Sequence, residues 1–142
     1  MKEYKYLANI ATADIAMEAY GKSIEEMFIN AAKGMESLIV ELEDVKDIVK
    51  KRVEVHATDM FALLYQWLEE LLIYFDTEFL VFSKFNIKIK EIGKEYILYG
   101  TIGGQVVDNK MKIKHEVKAV TYHEMSIEKK DGRFVCRVLF DL

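Results

Sequence analysis

The 142-residue chain contains no proline, so no bend can rest on a ring-fixed φ, and turns must fall on glycine, asparagine and aspartate. The seven glycines therefore serve as punctuation. A single cysteine, Cys136, excludes an intramolecular disulfide and favours a reducing compartment. Glu69, Glu70 and Asp76 interrupt the longest apolar stretches, so no segment is expected to span a bilayer. The opening "MKEYKYLANIA" lacks the apolar core and small-residue cleavage site of a secretory signal, which makes the cytoplasm the expected location. Nor is there a surplus of basic charge. The 20 Lys and Arg against 24 Asp and Glu leave a net charge of −4. Contact with RNA must then be local or made through a partner.

What remains is an ordinary globular composition, 51% hydrophobic and 31% charged, with no repeat, low-complexity tract or linker. One domain over residues 1–142 is expected. Tyr4 to Ile10 and Asp14 to Tyr20 read as strands. Ser23 with Glu26 three residues on forms a capping box. The spacing of Ile24, Met27, Phe28, Ala31, Met35, Leu38 and Ile39 then predicts an amphipathic helix. After the charged connection "EDVKDIVKK" and the short strand "KRVEVHA", Thr58 or Asp59 can cap a second helix from Met60 to about Phe75. That helix is apolar nearly all round and so reads as buried, with Trp67 in the core.

Everything after Asp76 reads as strand. "EFLVFSKFNIKIKEI" alternates, Gly93 offers a turn, and Asp131-Gly132 is a hairpin signal. Gly103 to Lys112 is the long loop candidate. Two helices and about seven strands, the last four in a run, indicate an α+β single domain. Its sheet should be mainly antiparallel, curved or folded into a sandwich, with the helices packed on it.

Few patterns carry chemistry. His56, His115 and His123 form no metal-binding pair, and Cys136 stands alone, so a zinc site of usual spacing is not expected. His123 reads as hydrogen-bonded and partly buried. Gly103-Gly104 lacks the Lys-Ser/Thr and the helix of a phosphate loop and reads as a turn. No nucleophile elbow or Cys/His pair occurs. Lys84, Lys88, Lys90 and Lys94 share a strand parity, as a solvated edge-protecting face or as a phosphate- or partner-binding patch. Lys110, Lys112 and Lys114 make a second cluster. Lys118, inside the strand-like "EVKAVTY", should have a specific partner, an acid or a phosphate.

Two aspartates stand out by parity. In "NIATADIAMEAYG", Ile15, Met17 and Ala19 face one way and Asp14, Ala16 and Glu18 the other. In the last strand, Phe134, Cys136, Val138, Phe140 and Leu142 point inward, which leaves Asp141 outward. Chain termini fray unless tied down, so a packed final strand would hold Asp141 and the Leu142 α-carboxylate in place. Asp14, Asp141 and that carboxylate would offer hard oxygens to Mg²⁺ or Ca²⁺. Spacing alone cannot say whether the two strands are neighbours, and an ordinary solvated acid remains the alternative for Asp14.

These residues also carry a likeness. "TADIA", "AYGKSIEEMFINAAKGM", "LLYQWLEELLIYFDTEFLVFSKF", "EVKAVTYHEM" and the terminal "VLFDL" together resemble archease over almost the whole chain. Archease is a small protein that assists the GTP-dependent tRNA-splicing RNA ligase. The resemblance implies an α+β domain with a divalent-metal site, its ligands mapping onto Asp14, Asp141 and Leu142. It also implies a functionally important lysine at Lys118. Archeases usually read His-Thr-Ala-Asp in the first motif. Ala11 stands at the histidine position here, which puts any role of that histidine in doubt.

The resemblance implies a non-enzymatic activator that promotes guanylylation of the ligase and its multiple turnover, with RNA met only indirectly. The alternative is a chaperone or modulator of RNA-processing enzymes such as a tRNA methyltransferase. A metal-dependent hydrolase fits less well, because no general base or nucleophile accompanies the acids.

Overall fold

Caps and apolar spacing set the two helices. In the computed structural model, which describes residues 2–7 and 13–142, Ser23 Oγ accepts from the Glu26 N–H at 3.1 Å and opens α1, Ile24–Ile39. The capping box closes one residue early, because the Glu26 carboxylate accepts from the Lys22 N–H. Of the two candidate caps for α2, Asp59 takes the role, its carboxylate accepting from the Ala62 N–H at 2.8 Å. This helix, Met60–Glu78, runs three residues past the expected end and closes on Phe79 in the left-handed conformation.

Among the described residues, seven strands surround them in two antiparallel sheets. The strands are β1 Tyr4–Tyr6, β2 Asp14–Gly21, β3 Val49–Ala57, β4 Leu80–Ile92, β5 Glu95–Val106, β6 Ala119–Lys130 and β7 Arg133–Asp141. One sheet has the order β1-β2-β7-β6 and the other β3-β5-β4. Both helices pack on both sheets: α1 against β2 and β4, α2 against β6 and β3. The expected α+β architecture is present, as two sheets sharing a helical layer.

The core follows from that layering. Trp67 is fully buried, with its indole N–H donating to the Phe28 carbonyl at 2.9 Å and Phe85 edge-on at 6.0 Å. Trp67→Ala should therefore cost about 3–5 kcal/mol by leaving a cavity between the helices. A denaturant midpoint lowered with little change in slope would show it.

Several boundaries differ from the sequence reading. The described part of the first strand stops at Tyr6, and Ala8, Asn9 and Ile10 lie outside the described residues. Gly103 and Gly104 are not a turn. They sit inside β5, where a Cβ on Gly104 would meet the Val81 carbonyl of β4, so glycine there permits close strand approach. The irregular segment accordingly begins at Val107 and runs to Lys118, later than expected. The strand "KRVEVHA" starts earlier, at Val49. Parity also misjudges β2: Ala16 is as buried as Met17, because it faces buried Leu139 across the β2–β7 ladder. The two hairpin signals hold, with Gly93 at φ 62 and Asp131-Gly132 at φ 54 and 76.

Candidate functional site

The β2–β7 ladder decides what the two aspartates do. Its register sets Asp14 directly opposite Asp141. The Leu142 N–H donates to the Ala13 carbonyl at 2.6 Å, which makes residues 13 and 142 the hydrogen-bonded pair. Asp14 and Asp141 are then a non-bonded pair, the kind whose side chains stand closest, with Cα atoms about 4.5 Å apart. Both are half-buried and no Lys, Arg or His lies within ion-pair distance of either among the described residues. Like charges directly opposite on a sheet repel, and a cation between them would turn that repulsion into binding.

Lys118 joins the same strand end from the other side. Its N–H donates to the Asp141 carbonyl at 2.8 Å, and Ala119 pairs with Asp141 across β6–β7. Lys118 is not in a strand interior as its sequence context suggests. It precedes β6 by one residue and is exposed. Its ammonium has no carboxylate within ion-pair distance among the described residues. The structure thus brings Asp14, Asp141, Leu142 and Lys118 to one end of the four-stranded sheet. Ala11 lies outside the described residues.

The donor chemistry suits a hard divalent cation in part. Two carboxylates offer oxygens of the right kind. Among the described residues no three His, Cys, Asp or Glu side chains converge to hold a metal. Among the described residues, Leu142 adjoins the pair through its N–H bond to the Ala13 carbonyl. The Leu142 side chain packs on the core, which holds that residue in position.

The other candidates separate from this end. His56 lies between Glu54 and Glu95, its ring nitrogens 2.8 and 2.9 Å from their carboxylates, and these two hydrogen bonds raise its pKa. His123 is exposed and not partly buried, because a bulge between Thr121 and Ser126, with Glu124 at φ 55, breaks the parity that seemed to turn it inward. Lys84, Lys88 and Lys90 face solvent along β4.

One group escapes the sequence reading. Glu36 on α1 is fully buried, with Oε2 accepting from the Phe82 N–H at 2.7 Å and Oε1 without a partner among the described residues. Burial pushes its pKa up to about 8 against a small lowering by that hydrogen bond. The available signal was helical spacing, since Glu36 shares the face of Ala32 and Ile39.

Fold and site together define a small two-sheet α+β protein with an acid pair and a lysine gathered at one sheet end. Residues 4–142 match the archease protein family. The archease of Methanothermobacter thermautotrophicus is 43% identical over 131 residues, 92% of this chain and 94% of the relative. That of Pyrococcus abyssi is 40% identical over the whole of both. The solution structure of Methanobacterium thermoautotrophicum protein 1598 agrees with a TM-score of 0.88 at 41% identity, covering all of both chains. A crystal structure from Thermotoga maritima, described as an archease and possible chaperone, has the same fold at 20% identity, with a TM-score of 0.63 over 93% of each chain. The chain belongs to the archease family.

Proposed function

We propose that this protein activates the GTP-dependent tRNA-splicing RNA ligase, promoting its guanylylation and repeated turnover without performing catalysis of its own. The observation that carries the reading is the cross-strand pairing of Asp14 with Asp141, with Lys118 bonded to the same strand end. In this reading Asp14, Asp141 and the Leu142 α-carboxylate hold a Ca²⁺ or Mg²⁺ ion. When bound, the cation supplies positive charge toward the phosphates of a nucleotide in the ligase. Lys118 adds a point charge on a flexible stem that reaches a phosphate or a ligase carboxylate. The rigid ladder keeps the acids in place as the partner docks. RNA is met only through the ligase, and such a partner places the protein in the cytoplasm.

Lys118→Ala separates the two parts of the site. Guanylylation of the ligase should fall by about tenfold or more, the scale of a lost charge-assisted contact, while cation affinity measured by calorimetry stays near wild type. Unchanged guanylylation would remove Lys118 from the site.

A chaperone or modulator role toward RNA-processing enzymes, such as a tRNA methyltransferase, is the second reading. The description of the Thermotoga maritima relative favours it. It predicts suppression of aggregation that depends neither on Asp14 nor on metal.

A further inference from the structure

The outward stripe of α2 carries exposed side chains beside Tyr65, which itself packs against the core. Phe61, Tyr65, Glu69 and Ile73 recur every four residues and so form one ridge. Phe61 and Ile73 are 42% and 47% exposed, and Tyr122, 53% exposed, stacks flat on Tyr65 with ring centroids 4.3 Å apart. The bulge in β6 that ejects His123 also turns Tyr122 out over the helix. Grooves of about 490 and 230 Å³ flank the ridge, and Glu69 and Ile73 border both.

The charge of α2 itself has one sign, with His56 and Lys118 contributed to the flanking grooves by other elements. From its cap to its end, α2 contains Asp59, Glu69, Glu70, Asp76 and Glu78 and no Lys, Arg or His. Its last turn bears Asp76 and Glu78, where the helix dipole favours cations. Lys51 offsets Glu78 at 3.2 Å. Glu69, Glu70 and Asp76 have no cationic side chain within ion-pair distance among the described residues. Asp76 and Lys118 both line the smaller groove, so it reaches the candidate site.

The Tyr65 hydroxyl donates to Glu69, and an aromatic and aliphatic centre ringed by acids without a cationic partner is built for a protein surface of opposite charge. We propose that the outward face of α2 is a docking surface for a basic protein partner, which brings an arginine to Glu69 and Asp76 and apolar side chains over Ile73 and Tyr122. Arginine suits the face better than lysine, because its planar guanidinium can lie on the free side of the Tyr122 ring while bonding a carboxylate. A nucleic acid would be repelled by the same acids. The inference rests on the activator reading above and makes the ligase that partner, so that the α2 face positions the acid pair and Lys118 against it.

The test measures affinity for the purified tRNA-splicing ligase of the same organism, by calorimetry at two salt concentrations. Wild type is compared with Glu69→Lys/Asp76→Lys and, separately, with Ile73→Asp, an exposed substitution that leaves the core intact. Both variants should bind the ligase at least about tenfold more weakly, Ile73→Asp with Ca²⁺ binding and thermal unfolding unchanged, and wild-type affinity should fall as salt rises. If wild type binds and both variants bind equally well, the α2 surface is refuted and the activator reading stands. If wild type neither binds nor stimulates the ligase, both fail. A wild-type dimer that Ile73→Asp dissociates in sedimentation would assign the face to a second copy of the chain and overturn the proposal.

Discussion

Asp14→Ala should abolish repeated turnover of the ligase while leaving the fold as stable as wild type, or slightly more so. The two effects have opposite signs for one physical reason. Asp14 faces Asp141 in the closest kind of cross-strand pair. Removing one of two directly opposed like charges relieves about 0.2–1 kcal/mol of repulsion in the metal-free protein. The same change removes a carboxylate from the candidate cation site. Calorimetric titration with Ca²⁺ or Mg²⁺ should show lost binding, and thermal melting without metal should show an equal or raised midpoint. With metal added, only wild type should gain stability, because a ligand that binds the native state alone stabilises it by mass action. Asp141→Ala should behave alike. Normal stimulation of the ligase by either variant would sink the metal-face reading.

Stability should also decline as the pH rises from about 4.5 toward 8, and Glu36→Gln should remove that slope. The carboxyl of Glu36 is fully buried and has a pKa of about 8 in the fold against an ordinary 4.5. Below the ordinary value both the folded and the unfolded chain hold the proton, and no charge has to be buried. Between the two values the unfolded chain releases the proton and the fold must retain it. Stability is therefore lost progressively until the folded group also ionises. A shift of that size corresponds to several kcal/mol, a large share of the roughly 5–15 kcal/mol that holds a domain together. Glu36→Gln keeps an acceptor for the Phe82 N–H and cannot ionise. Urea unfolding of both proteins across this range reads the difference directly. A wild-type curve that is flat from pH 5 to 8 would show that Glu36 gains solvation which the fold denies it.

How much was legible in advance varies with the range of the interaction. The two helices were readable because their information is local: Ser23 and Asp59 cap them, and apolar residues recur at three and four. The hairpins at Gly93 and Asp131-Gly132 were readable because only certain residues accept positive φ. Gly103-Gly104 misled because glycine marks a close approach as readily as a turn, and the approaching strand, β4, is distant in sequence at Val81. His123 misled because strand parity assumes an unbroken ladder, and the bulge between Thr121 and Ser126 inserts residues that no local pattern announces.

The sequence by itself determined the two helices and the two glycine-marked hairpins, since helical spacing and turn conformation depend only on near neighbours. It also contained the family likeness that pointed to Asp14, Asp141 and Lys118. Only the tertiary structure decided that β2 and β7 are adjacent and in the register that sets Asp14 against Asp141, with Lys118 hydrogen-bonded to the same strand end. Register between strands more than a hundred residues apart is set by the joint packing of their inward faces on the helices, and that packing exists only in the folded chain.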